Sequence, residues 1–99
     1  MDVKNKRVVV TGAASGIGKA LCEAFHQAEA KTVIAVDMNL EGAKDTADSV
    51  NGIAVQANVG NEEEIINVIQ KADEHAGGTD IFCSNAGIGG VPGFFEVGA

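Results

Sequence analysis

Apolar positions along the chain fall into four short runs and three spaced sets, and the two kinds alternate. Arg7 to Thr11 is a continuous β-branched run, the pattern of a parallel strand buried on both faces rather than one with a face in water. From Ile17 the residues Ile17, Ala20, Leu21, Ala24, Phe25 and Ala28 keep the three-and-four spacing of one helix face. Thr32 to Val36 is a second apolar run, closed by Asp37. A weaker helix follows, with Leu40, Ala43, Ala47 and Val50 on one face and Asn39 at the N-cap; Gly42 in its first turn costs about 1 kcal/mol relative to Ala. Ile53 to Ala57 predicts a third strand. Asn61 and Glu64 have capping-box spacing, and Ile65, Val68, Ile69, Ala72 and Ala76 then line a third helix that Gly77 and Gly78 end. Asp80 to Ser84 predicts a fourth strand, which leads into Asn85-Ala86-Gly87. Residues 88–99 are glycine-rich, hold the only proline, Pro92, and the pair Phe94-Phe95, and predict an irregular tail.

Strands that alternate with helices call for an α/β fold with a parallel sheet and right-handed crossovers. The layout is βαβαβαβ. In a doubly wound sheet its strand order is 3-2-1-4, with the first two helices on one face and the third on the other. The order then reverses between the first and fourth strands, and ligands bind in the crevice at the carboxyl ends there. The glycine stretch after the first strand, Asp37, Asn58 and Asn85 all follow strand ends, so they gather on that edge. Such a sheet leaves its fourth strand as an open edge and the face under the third helix partly covered. A marginal, association-prone domain is the expectation.

Composition narrows the function classes. Ninety-nine residues make one small domain, and 45% hydrophobic with 21% charged residues is ordinary for a globular chain. No apolar run approaches the roughly 18 residues that a membrane-spanning helix needs, and the first residues lead straight into a strand; a cytoplasmic location is the expectation. A net charge of −7 opposes binding to nucleic acid or to an anionic membrane surface. Cys22 and Cys83 both fall in apolar patterns and predict buried thiols, with no metal site. The chain has no Tyr and no Trp, and its only histidines are His26 and His75. Both lie late in helices that run away from the expected crevice, so neither is placed for chemistry there, and no catalytic residue is assigned.

The most informative stretch is Thr11 to Gly18, Thr-Gly-Ala-Ala-Ser-Gly-Ile-Gly, between the first strand and the first helix. Its glycines let main-chain N–H groups approach an anion, and the helix N-terminus behind them favours negative charge. A Walker-type P-loop is excluded, because the spacing is one residue too long and Ala20 follows Lys19 where a Ser or Thr hydroxyl would hold Mg²⁺. The fingerprint G-x-G-x-x-G is not matched either, since the spacing here is G-x-x-x-G-x-G.

With these residues assembled, the chain resembles the N-terminal part of the short-chain dehydrogenase/reductase family. Thr11, Gly12, Gly16 and Gly18 meet that family's T-G-x-x-x-G-x-G signature, Asp37 its acid after the second strand, Asn58-Val59 its Asp-Val after the third, and Ser84-Asn85-Ala86-Gly87 its Asn-Asn-Ala-Gly after the fourth. The resemblance implies an NAD-binding Rossmann half domain over residues 1–87, the first half of a doubly wound fold, followed by the tail 88–99. It implies that Gly12, Gly16 and Gly18 mark the pyrophosphate site at the start of the first helix, flanked by Ser15 and Ile17, and that Asp37 receives the adenosine ribose. Asn58 and Val59 then lie at the adenine, and Asn85, Ala86 and Gly87 beside the cofactor. NAD is expected over NADP, because Asp37 repels a 2′-phosphate and Ala14 and Met38 supply no cation for one.

The family departs from this chain in three places. Asn58 stands for an acid, Ser84 for an Asn, and Glu29 for the Gly that ends the first helix, where a left-handed backbone would cost about 1 kcal/mol. The family transfers hydride between nicotinamide and an alcohol or carbonyl, using a Tyr-x-x-x-Lys pair that this chain lacks. Two readings stay open. One is the cofactor-binding part of a longer oxidoreductase, favoured by the end of the chain without a closing helix; the other is a free-standing, non-enzymatic dinucleotide-binding or interaction module.

Overall fold

A computed structural model describes residues 3–88 and 91–96 of the chain. The elements are β1 (Arg7–Thr11), α1 (Gly16–Gln27), β2 (Thr32–Asp37), α2 (Leu40–Ser49), β3 (Ile53–Gln56), α3 (Glu62–Ala76), β4 (Ile81–Ile88) and β5 (Val91–Glu96). They form one sheet in the order β3-β2-β1-β4-β5. The first four strands are parallel and carry the predicted order 3-2-1-4.

The run Val8-Val9-Val10 reads as continuously apolar because both faces of β1 are covered. Val8 and Val10 join Cys22, Val33, Ala35, Ala47, Val50, Ile81 and Cys83 in a core beneath α1 and α2. Val9 points the other way, into a second core with Ile34, Val36, Val55, Val68 and Ala72 beneath α3. Two helices on one face and one on the other is the expected arrangement. Cys22 and Cys83 are both buried free thiols. Burial pushes the Cys22 thiol up to about 12 and that of Cys83 up to about 11.

The helix ends follow their local chemistry. Asn39 caps α2 by accepting from the Gly42 N–H, and Gly77 closes α3 in the left-handed conformation at φ 83°. Glu29 takes the left-handed position after α1 at φ 67°, although it is not glycine. Its N–H donates to the His26 carbonyl and that of Ala30 to the Phe25 carbonyl, the paired bonds of a Schellman ending. The capping box at α3 takes another form. A turn spends the Asn61 N–H on the Asn58 carbonyl at 3.0 Å, so the Glu64 carboxylate accepts instead from the Asn58 N–H at 2.9 Å.

Two expectations are corrected. Ile88 belongs to β4 and residues 91–96 form β5, so the stretch predicted as an irregular tail contributes a strand to the sheet. That strand runs antiparallel to β4, pairing Ile81 with Glu96 and Ser84 with Gly93. Pro92 and Gly93 hide the strand signal, yet a proline is tolerated on an edge strand, where half the backbone N–H groups need no partner in the sheet. Consequently β4 is not an edge; the outer strands among the described residues are β3 and β5.

At the end of the sheet away from the strand carboxyl termini, Arg7 and Asp80 clasp β1 to the start of β4. The Arg7 guanidinium donates from Nε and Nη2 to the two Asp80 oxygens at 2.9 and 3.1 Å, and from Nη1 to the Gly77 carbonyl. The Arg7 backbone N–H adds a further bond to Asp80 at 2.8 Å. Beside this guanidinium the Asp80 carboxyl is held down at about 2.

Candidate functional site

The expected site residues gather at the carboxyl end of the sheet, where β1 ends on the glycine loop. Gly12 turns the chain at φ 66°, a conformation that a side chain would strain. Ser15 is the N-cap of α1, accepting from the Gly18 N–H at 3.0 Å and donating to the Gly12 carbonyl at 2.7 Å. The first N–H groups of a helix have no partner within it. With that of Gly18 taken by Ser15, those of Gly16 and Ile17 open off the end of α1, where the helix dipole favours an anion by about 0.3–1 kcal/mol per charge.

The two helix glycines of this loop have different surroundings. A Cβ on Gly18 would stand 2.0 Å from the Gly12 carbonyl oxygen, so glycine here lets the helix lie against the loop. A Cβ on Gly16 would meet no atom of the described residues within 4 Å beyond its chain neighbours and its own helix backbone. That open space at the start of α1 leaves room for a diphosphate. Ile17 beside it is 70% exposed, an apolar surface that nothing in the described chain covers.

A cleft of about 290 Å³ lies next to the loop, lined by Gly12, Asp37, Met38, Asn58, Val59 and Gly60 among others. Its volume is close to the lower end of ligand pockets. Asp37, Asn58 and Val59 are thus brought together, as the sequence places them. Asp37 accepts from the Ala14 N–H at 3.0 Å on one oxygen and from the Asn39 N–H at 2.9 Å on the other. A carboxylate has about four acceptor positions, so capacity remains for ribose hydroxyls. The Asn58 amide oxygen accepts from the Gly60 N–H at 3.0 Å, which leaves it one lone pair for a ligand.

Asn85 has a role that sequence reasoning missed. Its amide nitrogen donates to the Gly12 carbonyl at 3.2 Å and to Ser15 Oγ at 3.1 Å, so it braces the loop across the gap between β1 and β4. Ala86 and Gly87 continue β4 beyond it. Thr46 was missed altogether. It is buried in α2 and its hydroxyl donates to the Ala13 carbonyl at 2.8 Å. The signal was a hydroxyl spaced three and four residues from Ala43 and Val50 on an apolar helix face, where a buried polar group needs a partner. His26 and His75 lie in the last turns of α1 and α3, remote from the loop.

Comparison with known proteins agrees with this geometry. A family model described as short chain dehydrogenase matches residues 6–98. Glucose 1-dehydrogenase 2 of Bacillus subtilis (strain 168) is 35% identical over 95 residues, which cover 91% of this chain and 37% of that protein. A solved hydroxysteroid dehydrogenase from Escherichia coli superposes with a TM-score of 0.76 at 27% identity, covering 81% of this chain and 35% of that one. A structure named ribose-5-phosphate isomerase, from Brucella melitensis 16M, superposes with a TM-score of 0.79 at 29% identity, covering 88% and 34%. The chain therefore spans about a third of the length of these relatives. The names of the two structures denote different reactions on one scaffold, so the likeness carries fold and family and leaves the reaction open. On a family match that runs over nearly its whole length, the chain belongs to the short chain dehydrogenase family.

Proposed function

We propose that the chain binds NAD(H) along the carboxyl edge of its sheet, as the nucleotide-binding part of an oxidoreductase that transfers hydride between nicotinamide and an alcohol or carbonyl. One juxtaposition carries the reading: the glycine loop that leads into the N-terminus of α1 borders, through Gly12, a cleft lined by Asp37 and Asn58. An anion at the helix end and a ribose at the acid are the two halves of an adenosine diphosphate. The family's use of nicotinamide dinucleotides agrees with it.

In this reading Gly12, Gly16, Ile17 and Gly18 form the diphosphate cradle, and Ser15 keeps its shape by capping the helix. Asp37 accepts from the ribose hydroxyls, Asn58 and Val59 border the adenine, and Asn85 with Ala86 and Gly87 flanks the path toward the nicotinamide. The bound cofactor supplies or accepts the hydride. The chain contributes orientation, because it contains no Tyr to exchange a proton with a substrate oxygen. That acid/base group and the substrate pocket belong to a longer form of the protein.

Asp37 also sets the preference for NAD. A 2′-phosphate placed roughly 4 Å from its carboxylate is repelled by about 1 to 4 kcal/mol between water-like and protein-surface screening, at least about fivefold in affinity. No cation stands at Ala14 or Met38 to offset this. Calorimetry with NAD and NADP on the chain tests the proposal. NAD is expected to bind more tightly, and Asp37→Asn to narrow the gap. Equal affinity for both dinucleotides refutes the role given to Asp37, and failure of both to bind refutes the cradle.

A further inference from the structure

The Ala13 carbonyl and the Ala14 N–H are the two ends of a single peptide group, and different elements hold them. Thr46 Oγ1, from α2, donates to the carbonyl at 2.8 Å. Asp37 Oδ2, at the end of β2, accepts from the N–H at 3.0 Å. Thr46 is 1% exposed, in a helix whose other buried residues are Ala43 and Ala47. One turn earlier Gly42 seats the same segment, since a Cβ there would stand 2.5 Å from the Ala14 Cβ. The clamped peptide lies between the turn at Gly12 and the N-cap Ser15, directly before the open N–H groups of Gly16 and Ile17.

A glycine-rich loop moves most easily by rotating one peptide plane, which exchanges the directions of its carbonyl and its N–H. Here that rotation breaks both bonds at once and strands a buried hydroxyl without a partner. It also releases Asp37 Oδ2, so the acid loses its orientation together with the loop.

We propose that Thr46 is a positioning residue for the cofactor site: by fixing the Ala13–Ala14 peptide it holds the diphosphate donors and the Asp37 carboxylate as one rigid unit. Thr46 touches no cofactor and acts through the loop. The inference rests on the dinucleotide reading given above. It assigns to α2, outside the glycine signature, part of the affinity for the ligand.

The test compares T46V, which deletes the hydroxyl, with T46S, which keeps it. V68A serves as a control, weakening the core beneath α3 on the opposite face of the sheet. Two quantities are measured on the chain: amide shifts and hydrogen exchange of Ala14, Gly16 and Ile17 without ligand, and the Kd for NAD. T46V is expected to displace all three amides, speed exchange at Ala14 and weaken NAD about tenfold, the size of one lost buried hydrogen bond. T46S restores both within about twofold, and V68A changes neither. Unmoved amides in T46V, or losses no larger than those of V68A, overturn the proposal. Should T46V not accumulate folded, G42A pushes on Ala14 without deleting a polar group; it must then displace the same amides, and their staying in place overturns the proposal equally. If the parent chain binds no NAD while T46V still displaces the loop amides, Thr46 stands as the loop's positioning residue and the dinucleotide reading fails.

Discussion

Gly16 and Gly18 lie two residues apart in one motif, and their surroundings predict opposite consequences for the same substitution. At Gly18 an added methyl carbon stands 2.0 Å from the Gly12 oxygen, 2.7 Å from the Gly12 carbonyl carbon and 2.9 Å from the Ala13 Cα. All three are backbone atoms, so no side chain can swing away. To reach ordinary contact the loop or the helix must retreat by roughly 1.4 Å, in a turn already fixed by Ser15, Thr46, Asp37 and Asn85. Overpacking of this kind costs about 1–3 kcal/mol, so G18A is expected to be destabilised by that amount. At Gly16 the methyl meets none of the described residues beyond its own stretch of helix, and the helical backbone there suits alanine. G16A is expected to keep wild-type stability or to gain up to about 1 kcal/mol, while its methyl occupies the space assigned to the diphosphate and abolishes NAD binding. Urea unfolding gives the stabilities and calorimetry the affinities. G18A with wild-type stability refutes the close approach of helix and loop. G16A that binds NAD undiminished refutes the placement of the diphosphate.

Three more outcomes are expected. E29G removes the Cβ from a left-handed residue at φ 67° and raises stability by about 1 kcal/mol in urea unfolding; the exposed Lys4–Glu29 contact at 3.9 Å that it deletes contributes little. The Asp80 carboxyl, lowered to about 2, gives stability that is fully present above its unfolded value near 4 and lost as pH falls from there through about 2. D80N is therefore less stable than the parent at pH 7, and the two unfolding midpoints converge near pH 2. The Cys22 and Cys83 thiols, buried and pushed up to about 12 and 11, are expected to react with a thiol reagent at pH 8 only at the rate of global opening. Rapid labelling of either in native buffer contradicts the two-sided core.

Much of this molecule can be read from its residues because the deciding interactions are local. The run Val8-Val9-Val10 announces a strand covered on both sides, Asn39 caps the helix it precedes, and Gly77 takes the left-handed turn that ends α3. Crevice residues were legible for a similar reason, since Asp37 closes β2, Asn58 and Val59 come just after β3, and Asn85 lies just past the parallel pairing of β4 with β1. The strand at 91–96 was not. Its Pro92 and Gly93 carry loop chemistry, and only its position at the rim of the sheet makes them acceptable. Nor could spacing alone show that Asp37 and Thr46 meet the same peptide. That contact depends on α2 packing back over the loop, a tertiary distance that follows from no periodicity. Asn85 shows the same limit, since its reach to Gly12 spans 73 positions of sequence.

The central place of β1 in the sheet also bears on how the chain comes together as it is made. The first of the described strands needs two neighbours, β2 beginning at Thr32 and β4 beginning at Ile81. A nascent chain can close the β1-α1-β2 unit early, and contacts of long sequence separation come late. Both ends of the β1–β4 seam depend on such contacts, Arg7 with Asp80 below and Gly12 with Asn85 above, each 73 residues apart. The glycine loop therefore emerges with its turn and its helix cap but without its last brace. The site is completed only when the fourth strand docks, so a half-made chain carries the sequence signature before it carries the finished cradle.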